Sequence, residues 1–450
     1  MDDIIVESML DRFAAGIGGM DTDALEAVKL HVADSIACAI ASRDGASVKI
    51  AQATARPDPQ SGARVIGERE PASLESATFT NTTMIRYLDL NDSYNAIGSG
   101  HPSDLIGVSL AAGTHACRSG ADLIAAVDAA YNCLCDLWDQ TRIGRGGWDQ
   151  GTMIGPVAAA IAGTLLGLDP TQTAEAIAMT AVSGVAVRQT RRGHLSMWKG
   201  MATAHASKAA VSAVALARYG ATGPPQPFVG VNALGELLFT ATPAPVSARG
   251  AILRANLKRF PCCYHAQGPI ELAVTARRTV DPAEVTAIEV DSYEKAVIDL
   301  ALDEEKWHPK IRESADHSMP FLVAVSLLDG GLTEESFAND RWLDPEVGRL
   351  MQKVRVNVDP QLTEAFPKEV SSRLHISFGD PQRETTDSVS HPLGHYLRPM
   401  RPDQVREKFV TITEPWLGRE RADVLYARLM QLDEVRDLNE IMDLTVVNPR

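Results

Sequence analysis

The sequence predicts a mainly α-helical protein built as a large all-helical domain plus a smaller α+β lid domain. Three observations carry this expectation. Hydrophobic residues make up 45% of the 450 positions but aromatic ones only 5%, so alanine and other small residues form the core, which suits closely packed helices. Apolar residues recur at helical spacing through most of the first 255 positions. After about residue 255 short alternating stretches enter, and from about 402 the pattern is helical again. We therefore expect residues 1–255 and 400–450 to form the helical domain and residues 256–399 the lid.

Taken in order, residues 3–18 and 23–43 read as helices, the second opening with Asp23 and Glu26 as a capping box. ARVIG at 63–67 reads as a short strand, and Ser73 starts a helix over 73–88. Helices are expected over 103–117, 121–138, 152–167 and 171–186, the last led by Pro170. A long alanine-rich helix covers 199–219 and stops at Gly220. In the second part, VTAIEVDS (285–292), VRVNVD (354–359) and LHISFG (374–379) alternate like strands. Helices over 267–279, 318–329 and 344–352 lie beside them, and 419–435 closes the chain as a helix that returns to the first domain.

The formal net charge of -15 argues against a nucleic-acid partner, and an anionic small substrate needs local cations to overcome that field. None of the six cysteines forms a Cys-x-x-Cys pair, and no histidine spacing suggests zinc, so they read as reduced thiols of a cytoplasmic protein. The first ten residues, MDDIIVESML, are acidic and helical, unlike a signal peptide. The longest uncharged apolar run, 153–168, is too short and too rich in glycine and alanine for a membrane span.

Chemistry concentrates in residues 84–110, MIRYLDLNDSYNAIGSGHPSDLIGVSL. Asp89, Asp92, Ser93 and His101 lie between two apolar helical segments, the second capped by Ser103 or Asp104. On a continuing helix Asp89 and Asp92 share a face, and either serves as a general base if burial raises its pKa. Acids at a helix end are usually solvated, but Ser93 and His101 beside them favour the functional reading. His101 at a helix start is suited to acid–base work or to holding a carboxylate. Lys199 sits at the start of a nearly uncharged helix, where a buried ammonium demands an anion; Asp89 and a substrate carboxylate are the nearest partners to offer. Lys208 reads as a surface lysine, and His205 as facing the core or a helix partner. Lys258 and Arg259 precede a proline-led turn and a helix, a placement that suits a carboxylate. Cys262 and Cys263 read as packing residues, since no activating base is evident. The glycine-rich GRGGWDQGT (144–152) reads as a pocket edge with Arg142, Arg145 and Asp149, whereas Arg188, Arg191 and Arg192 stand equally as solvated loop charge.

Over nearly its whole length the chain resembles the MmgE/PrpD family, which includes 2-methylcitrate dehydratases, cis-aconitate decarboxylases and iminodisuccinate epimerases. The carriers are YLDLNDSY with HPSDLIGVSLAA, SMWKGMATAHASKAAVSAVALARYGATGP, KRFPCCYHAQGPIELAV and ADHSMPFLVAVSLLDGGLT. The resemblance implies a helical domain built from both chain ends, an α+β lid, a homodimer and metal-free, cofactor-free chemistry on di- or tricarboxylic acids. It matches Asp89 to the first acid of the family's Asp-Phe-Asp-Asp-Thr motif, with Ser93 in place of the threonine. It matches His101 to the histidine of the following His-Pro, and Lys199 and Lys258 to the two motif lysines. The sequence departs at Asp149, which replaces a histidine, and at Phe321, where some members carry tyrosine.

The leading expectation is a lyase of the 2-methylcitrate dehydratase type that takes a proton beside a carboxylate and expels water. Asp89, His101 and Lys199 are expected as catalytic residues, and Ser93, Asp149, Lys258 and Arg259 as substrate-binding ones, with no metal and no cofactor. Whether Asp89, His101 or Asp149 is the base stays open. An epimerase or decarboxylase of a related polycarboxylate is the alternative within the family, and an inactive helical scaffold the alternative outside it.

Overall fold

The computed structural model describes residues 2–144, 147–380 and 383–447. Its first part is a stack of helices whose starts are set by short polar caps. Helix α1 (Ile4–Ala14) opens on Asp3, whose side chain accepts from the Ile5 and Val6 N–H groups. Helix α2 (Thr22–Ala41) is capped by Asp21 rather than by the expected Asp23; Glu26 instead pairs with Lys29 at 3.0 Å. Helix α3 (Ala46–Thr54) was not anticipated, and α4 (Leu74–Tyr87) starts at Ser73 as the sequence suggests. A two-residue hairpin of β1 (Tyr94–Asn95) and β2 (Ser99–Gly100) leads into α5 (Asp104–His115). Then follow α6 (Gly120–Gln140), α7 (Gly151–Leu166), α8 (Pro170–Ser183) and α9 (Trp198–Arg218). A short α10 (Leu234–Leu238) ends this run.

ARVIG is not a strand. Ala63 makes a single bridge to Ala72, and the Ile66 N–H is taken by the Asn81 side chain at 2.8 Å, so no strand partner is left to pair with.

The α+β domain begins with α11 (Gln267–Ala276) and β3 (Val285–Ser292). Helices α12 (Glu294–Leu300), α13 (Arg312–Ala315), α14 (Met319–Asp329) and α15 (Pro345–Met351) precede β4 (Val354–Val358). A short α16 (Pro360–Ala365), then β5 (Ser372–Phe378) and β6 (Glu384–Val389), complete a mixed sheet in the order β4-β3-β5-β6. Strand β3 runs parallel to β4 and antiparallel to β5. The three expected strands are present; β6, ETTDSV, escaped notice because it is a polar, exposed edge strand with no apolar alternation. The chain ends with α17 (Pro402–Leu417), α18 (Arg419–Met430) and α19 (Asn439–Thr445).

Three apolar clusters hold these elements together. Met9, Leu134, Ile161, Ile177 and Val211 join α1 and α6–α9. Ile36, Ile85 and Ile106 of α2, α4 and α5 share a core with Phe409, Leu425 and Ile441 of the last three helices. Ile270, Val290, Leu322, Leu350 and Ile376 form the separate core of the α+β domain. No helix among the described residues is long and apolar enough to cross a membrane.

Small residues set the closest approaches, and those approaches fix where α4 and α5 deliver their ends. A Cβ built on Gly107 of α5 falls 2.3 Å from Thr82 Oγ1 and 2.7 Å from the Thr82 backbone nitrogen on α4. Gly107→Ala is expected to lower the unfolding free energy in urea by about 1–3 kcal/mol. Gly200→Ala on α9, where a Cβ meets nothing within 4 Å, is expected to leave stability unchanged or raise it by up to about 1 kcal/mol. Equal effects at the two positions would contradict a tight α4–α5 crossing.

Candidate active site

Helix α4 ends at Tyr87, and two residues later Asp89 adopts φ 51, a left-handed conformation that aspartate tolerates better than most residues. The turn swings its carboxylate into a buried nest of cations. Arg86 Nη1 lies 2.8 Å from Oδ1, Lys199 Nζ lies 3.2 Å from Oδ2, and the Lys258 ammonium bonds Oδ1 and, at 2.8 Å, the Asp89 carbonyl. Burial alone would raise the Asp89 pKa, but Arg86, Lys258 and Lys199 overcome it and hold the carboxyl well below its usual range. This carboxylate is ionised and held by cations, a poor proton acceptor, although its Oδ2 makes no hydrogen bond of its own.

Lys199, at the start of α9, continues the network. Its ammonium donates to both oxygens of Asp316 at 2.8 Å, and Asp316 also accepts from Arg312 at 3.0 Å. Arg312 in turn pairs with Glu334 at 2.7 Å. The expected second anion for Lys199 is thus a side chain of the chain itself, just ahead of α14.

The same turn parts Asp92 from Asp89, so the two do not share a face. Asp92 accepts from the Ser103 N–H at 3.0 Å and from Tyr131 Oη at 2.7 Å, and so anchors the start of α5. Its carbonyl accepts a hydrogen bond from His101 Nδ1 at 2.6 Å. A carbonyl can only accept, so the proton of neutral His101 sits on Nδ1 and the lone pair on Nε2, which lies 4.0 Å from Asp89 Oδ1. Burial, then Arg86 and Lys258, keep the imidazole pKa well below its ordinary value. His317 mirrors it from the other side. Its Nδ1 bonds Asp316 at 2.6 Å, its Nε2 lies 3.6 Å from Asp89 Oδ2, and burial and Lys199 lower its pKa to about 4.

Both imidazoles line a cavity of about 620 Å³, partly open to solvent. Arg86, Asp89, Ser93 and Asp149 line it too, as does Gln150, whose side chain accepts from the His101 N–H at 2.8 Å. Asp149 is held by Arg191 at 2.6 Å and by the Gly151 N–H at 3.2 Å, so it presents Arg191 to the cavity and is itself a bound counter-ion. Lys199 and Lys258 are not part of the wall; they act on it through Asp89.

Several sequence expectations need correction here. Arg259 is exposed and stacks its guanidinium on Phe260 at 5.0 Å, outside the cavity, because the turn that buries Lys258 points its neighbour to solvent. Arg142 is exposed as well, and Arg145 lies outside the described residues. Phe321 belongs to the apolar core beside Phe337 and Trp342. His205 faces solvent against Trp198. Among the described residues, the cations that do face the cavity besides Arg86 are Arg188, Arg191 and Lys295. Cys263 lines it as a thiol whose pKa burial raises to about 11, so it is not a thiolate.

Asp89, Asp316 and His317 offer donor atoms within 4.8 Å of one another, a spacing that a metal ion could use. The Lys199 ammonium already touches both carboxylates, and Arg86, Lys258 and Arg312 surround them. A divalent ion would have to displace these fixed cations or sit among them, so the donor set suits ammonium and guanidinium groups better.

The comparisons with known proteins agree with this architecture. The family model for the MmgE/PrpD N-terminal domain matches residues 10–246, and that for the MmgE/PrpD C-terminal domain matches residues 260–432. The 2-methylcitrate dehydratase of Salmonella typhi is 25% identical over 422 residues, covering 86% of this chain and 85% of that protein. The probable 2-methylcitrate dehydratase of Saccharomyces cerevisiae is 24% identical over 408 residues, with 83% and 78% covered. A fungal alkylcitrate dehydratase, phiI, is 25% identical over 427 residues, with 86% and 83% covered. With both domain models matched in chain order around a single buried charge network, the chain belongs to the MmgE/PrpD family.

Proposed function

We propose that this protein is a metal-independent hydro-lyase of the 2-methylcitrate dehydratase type, acting on a di- or tricarboxylic acid. The observation that carries the reading is His101: a neutral imidazole locked by the Asp92 carbonyl, its free Nε2 in a cavity walled by guanidinium and ammonium groups. The names of the relatives support dehydration as the reaction type.

His101 is the base in this reading. Its Nε2 takes the proton from the carbon next to a substrate carboxylate. The electron pair of that C–H bond becomes the new C=C bond, the C–O bond of the β-hydroxyl breaks, and the hydroxyl departs as water with the proton that His101 has taken up. Negative charge that builds on the reacting carboxylate is met by Arg86, which Asp89 holds in place together with Lys199 and Lys258. Ser93 orients the substrate from the cavity wall. The α+β domain acts as a lid and brings His317 to the opposite side of Asp89. That second free Nε2 is the one feature favouring an epimerase, which needs an acceptor and a donor on two faces of one carbon.

Proton NMR in deuterated water with a panel of di- and tricarboxylates, 2-methylcitrate and citrate included, separates these outcomes. Olefin formation with loss of water is expected. Solvent deuterium uptake without net turnover would favour the epimerase, and silence across the panel would leave a scaffold. Prolonged treatment with a chelator is expected to leave turnover intact. His101→Asn should lower kcat by about 100-fold or more with little change in the melting temperature.

The pH dependence follows from the lowered imidazole pKa values. The fold favours neutral His317, so protons bind the unfolded chain from the ordinary value of 6.5 downward but bind the native state only near about 4. The stability that this adds is full above 6.5 and fades as pH falls toward about 4. Turnover should be level from pH 8 down through the ordinary imidazole value and decline only well below it, in a pH–rate profile. A limb near 6.5 would mean that the imidazoles are solvated.

A further inference from the structure

The catalytic reading uses one end of the cavity. At the other end stands a second charge cluster that it leaves unexplained. Arg188, in the one-turn helix 188–191 between α8 and α9, lies 3.0 Å from Asp299 Oδ1. Lys295, four residues before Asp299 on α12, bonds the other oxygen. Arg188 comes from the helical part of the chain and the other two from the α+β part. A second cavity, of about 1460 Å³, adjoins the first, and among the described residues Arg188, Lys295 and Asp299 line both. The three therefore stand where the two cavities meet.

Two cations here share one carboxylate. The other groups at hand do not complete the balance: His265, 3.8 Å from Asp299, has its pKa lowered to about 3 by burial and Lys295, so it is neutral. Arg192 and Asp303 form their own, looser contact at 3.9 Å. Counted alone, the three carry one net positive charge on two mostly buried cations, their side chains 19% and 11% exposed, while Glu294 on the wall of the second cavity is exposed to solvent. Such a charge favours an incoming anion. A guanidinium fork beside an ammonium is a carboxylate receptor in the chemical sense.

We propose that Arg188 and Lys295 form the subsite for the distal, non-reacting carboxylate of the substrate, with Asp299 as the internal anion that this carboxylate displaces. The proposal rests on the polycarboxylate reading above. A carboxylate bound to both would tie the helical part to α12 and set the substrate lengthwise, its reacting end toward His101.

Calorimetric titration of the full chain with citrate at pH 6.5 tests this. The unmodified protein should bind citrate. Lys295→Met and Arg188→Gln should each weaken binding by about tenfold to a hundredfold, the scale of one charged hydrogen bond, and Lys295→Arg should restore most of it. Asp299→Asn is the deciding variant. A subsite loses a competitor, so citrate should bind at least as tightly as to the unmodified protein. If the three residues were only a latch between the two parts, Asp299→Asn would weaken binding as much as Lys295→Met, and the proposal would fall. Unchanged binding in Lys295→Met and Arg188→Gln would also overturn it while leaving the polycarboxylate reading in place. No citrate binding by the unmodified protein would remove both.

Discussion

The carboxylate of Asp89 is the constraint on which the rest of the site depends. It is buried, and three cations from three places in the chain are buried against it: Arg86 from the same helix, Lys199 from the start of α9 and Lys258 from the segment ahead of α11. Removing one partner of a buried ion pair typically costs about 3–5 kcal/mol. The cations cannot shed their charge into solvent and the acid cannot take up a proton cheaply, so each fixes the others. Lys199 then extends the network to Asp316, which brings in Arg312 and His317. The ends of α4 and α9 and the turn before α14 are thus set by the need for neutrality in a dry space, and the apolar cores supply the rigid bodies that this need aligns.

An acid committed in this way is a poor base, and the proposed reaction assigns that work to the imidazoles beside it. The same nest that keeps Asp89 ionised keeps His101 neutral, since Arg86 and Lys258 oppose any further positive charge nearby. Asp92 completes the division of labour. Its side chain anchors the start of α5 while its carbonyl selects the tautomer of His101.

The sequence made the helical part legible because its signals are local. Start signals such as Ser73 and Pro170, apolar periodicity and the stop at Gly220 act within a few positions. Asp89, Ser93, His101 and Lys199 stood out for a related reason: polar groups among long apolar runs need an account. What stayed hidden depends on contacts across the chain. Asp316 reaches Lys199 over 117 positions, and nothing near ADHS marks it as an ion-pair partner. Arg188 and Arg191 look like solvated loop charge until Asp299 and Asp149 are seen to hold them. Arg259 erred the other way: the segment around it is buried through Lys258, and the bend that follows leaves Arg259 alone exposed. ARVIG has the composition of a strand but meets a helix, and β6 has the pairing of a strand without the composition.

The pairing of Arg191 with Asp149 has a consequence for selectivity. Among the wall cations described above, Arg86 lies against Asp89, Arg191 against Asp149, and Arg188 and Lys295 share Asp299, so every one has a tethered carboxylate beside it. The wall thus behaves like an ion-exchange resin whose exchangeable ions are covalently part of the bead. A free monovalent anion such as chloride or acetate must compete with carboxylates held at very high effective concentration, and it fails at ordinary concentrations. A multivalent anion engages several exchange points at once and can win where each of its charges alone would lose. In the polycarboxylate reading proposed above, such a wall favours solutes by valence before shape, a way for an acidic protein of net charge -15 to keep a receptive site amid simple salts.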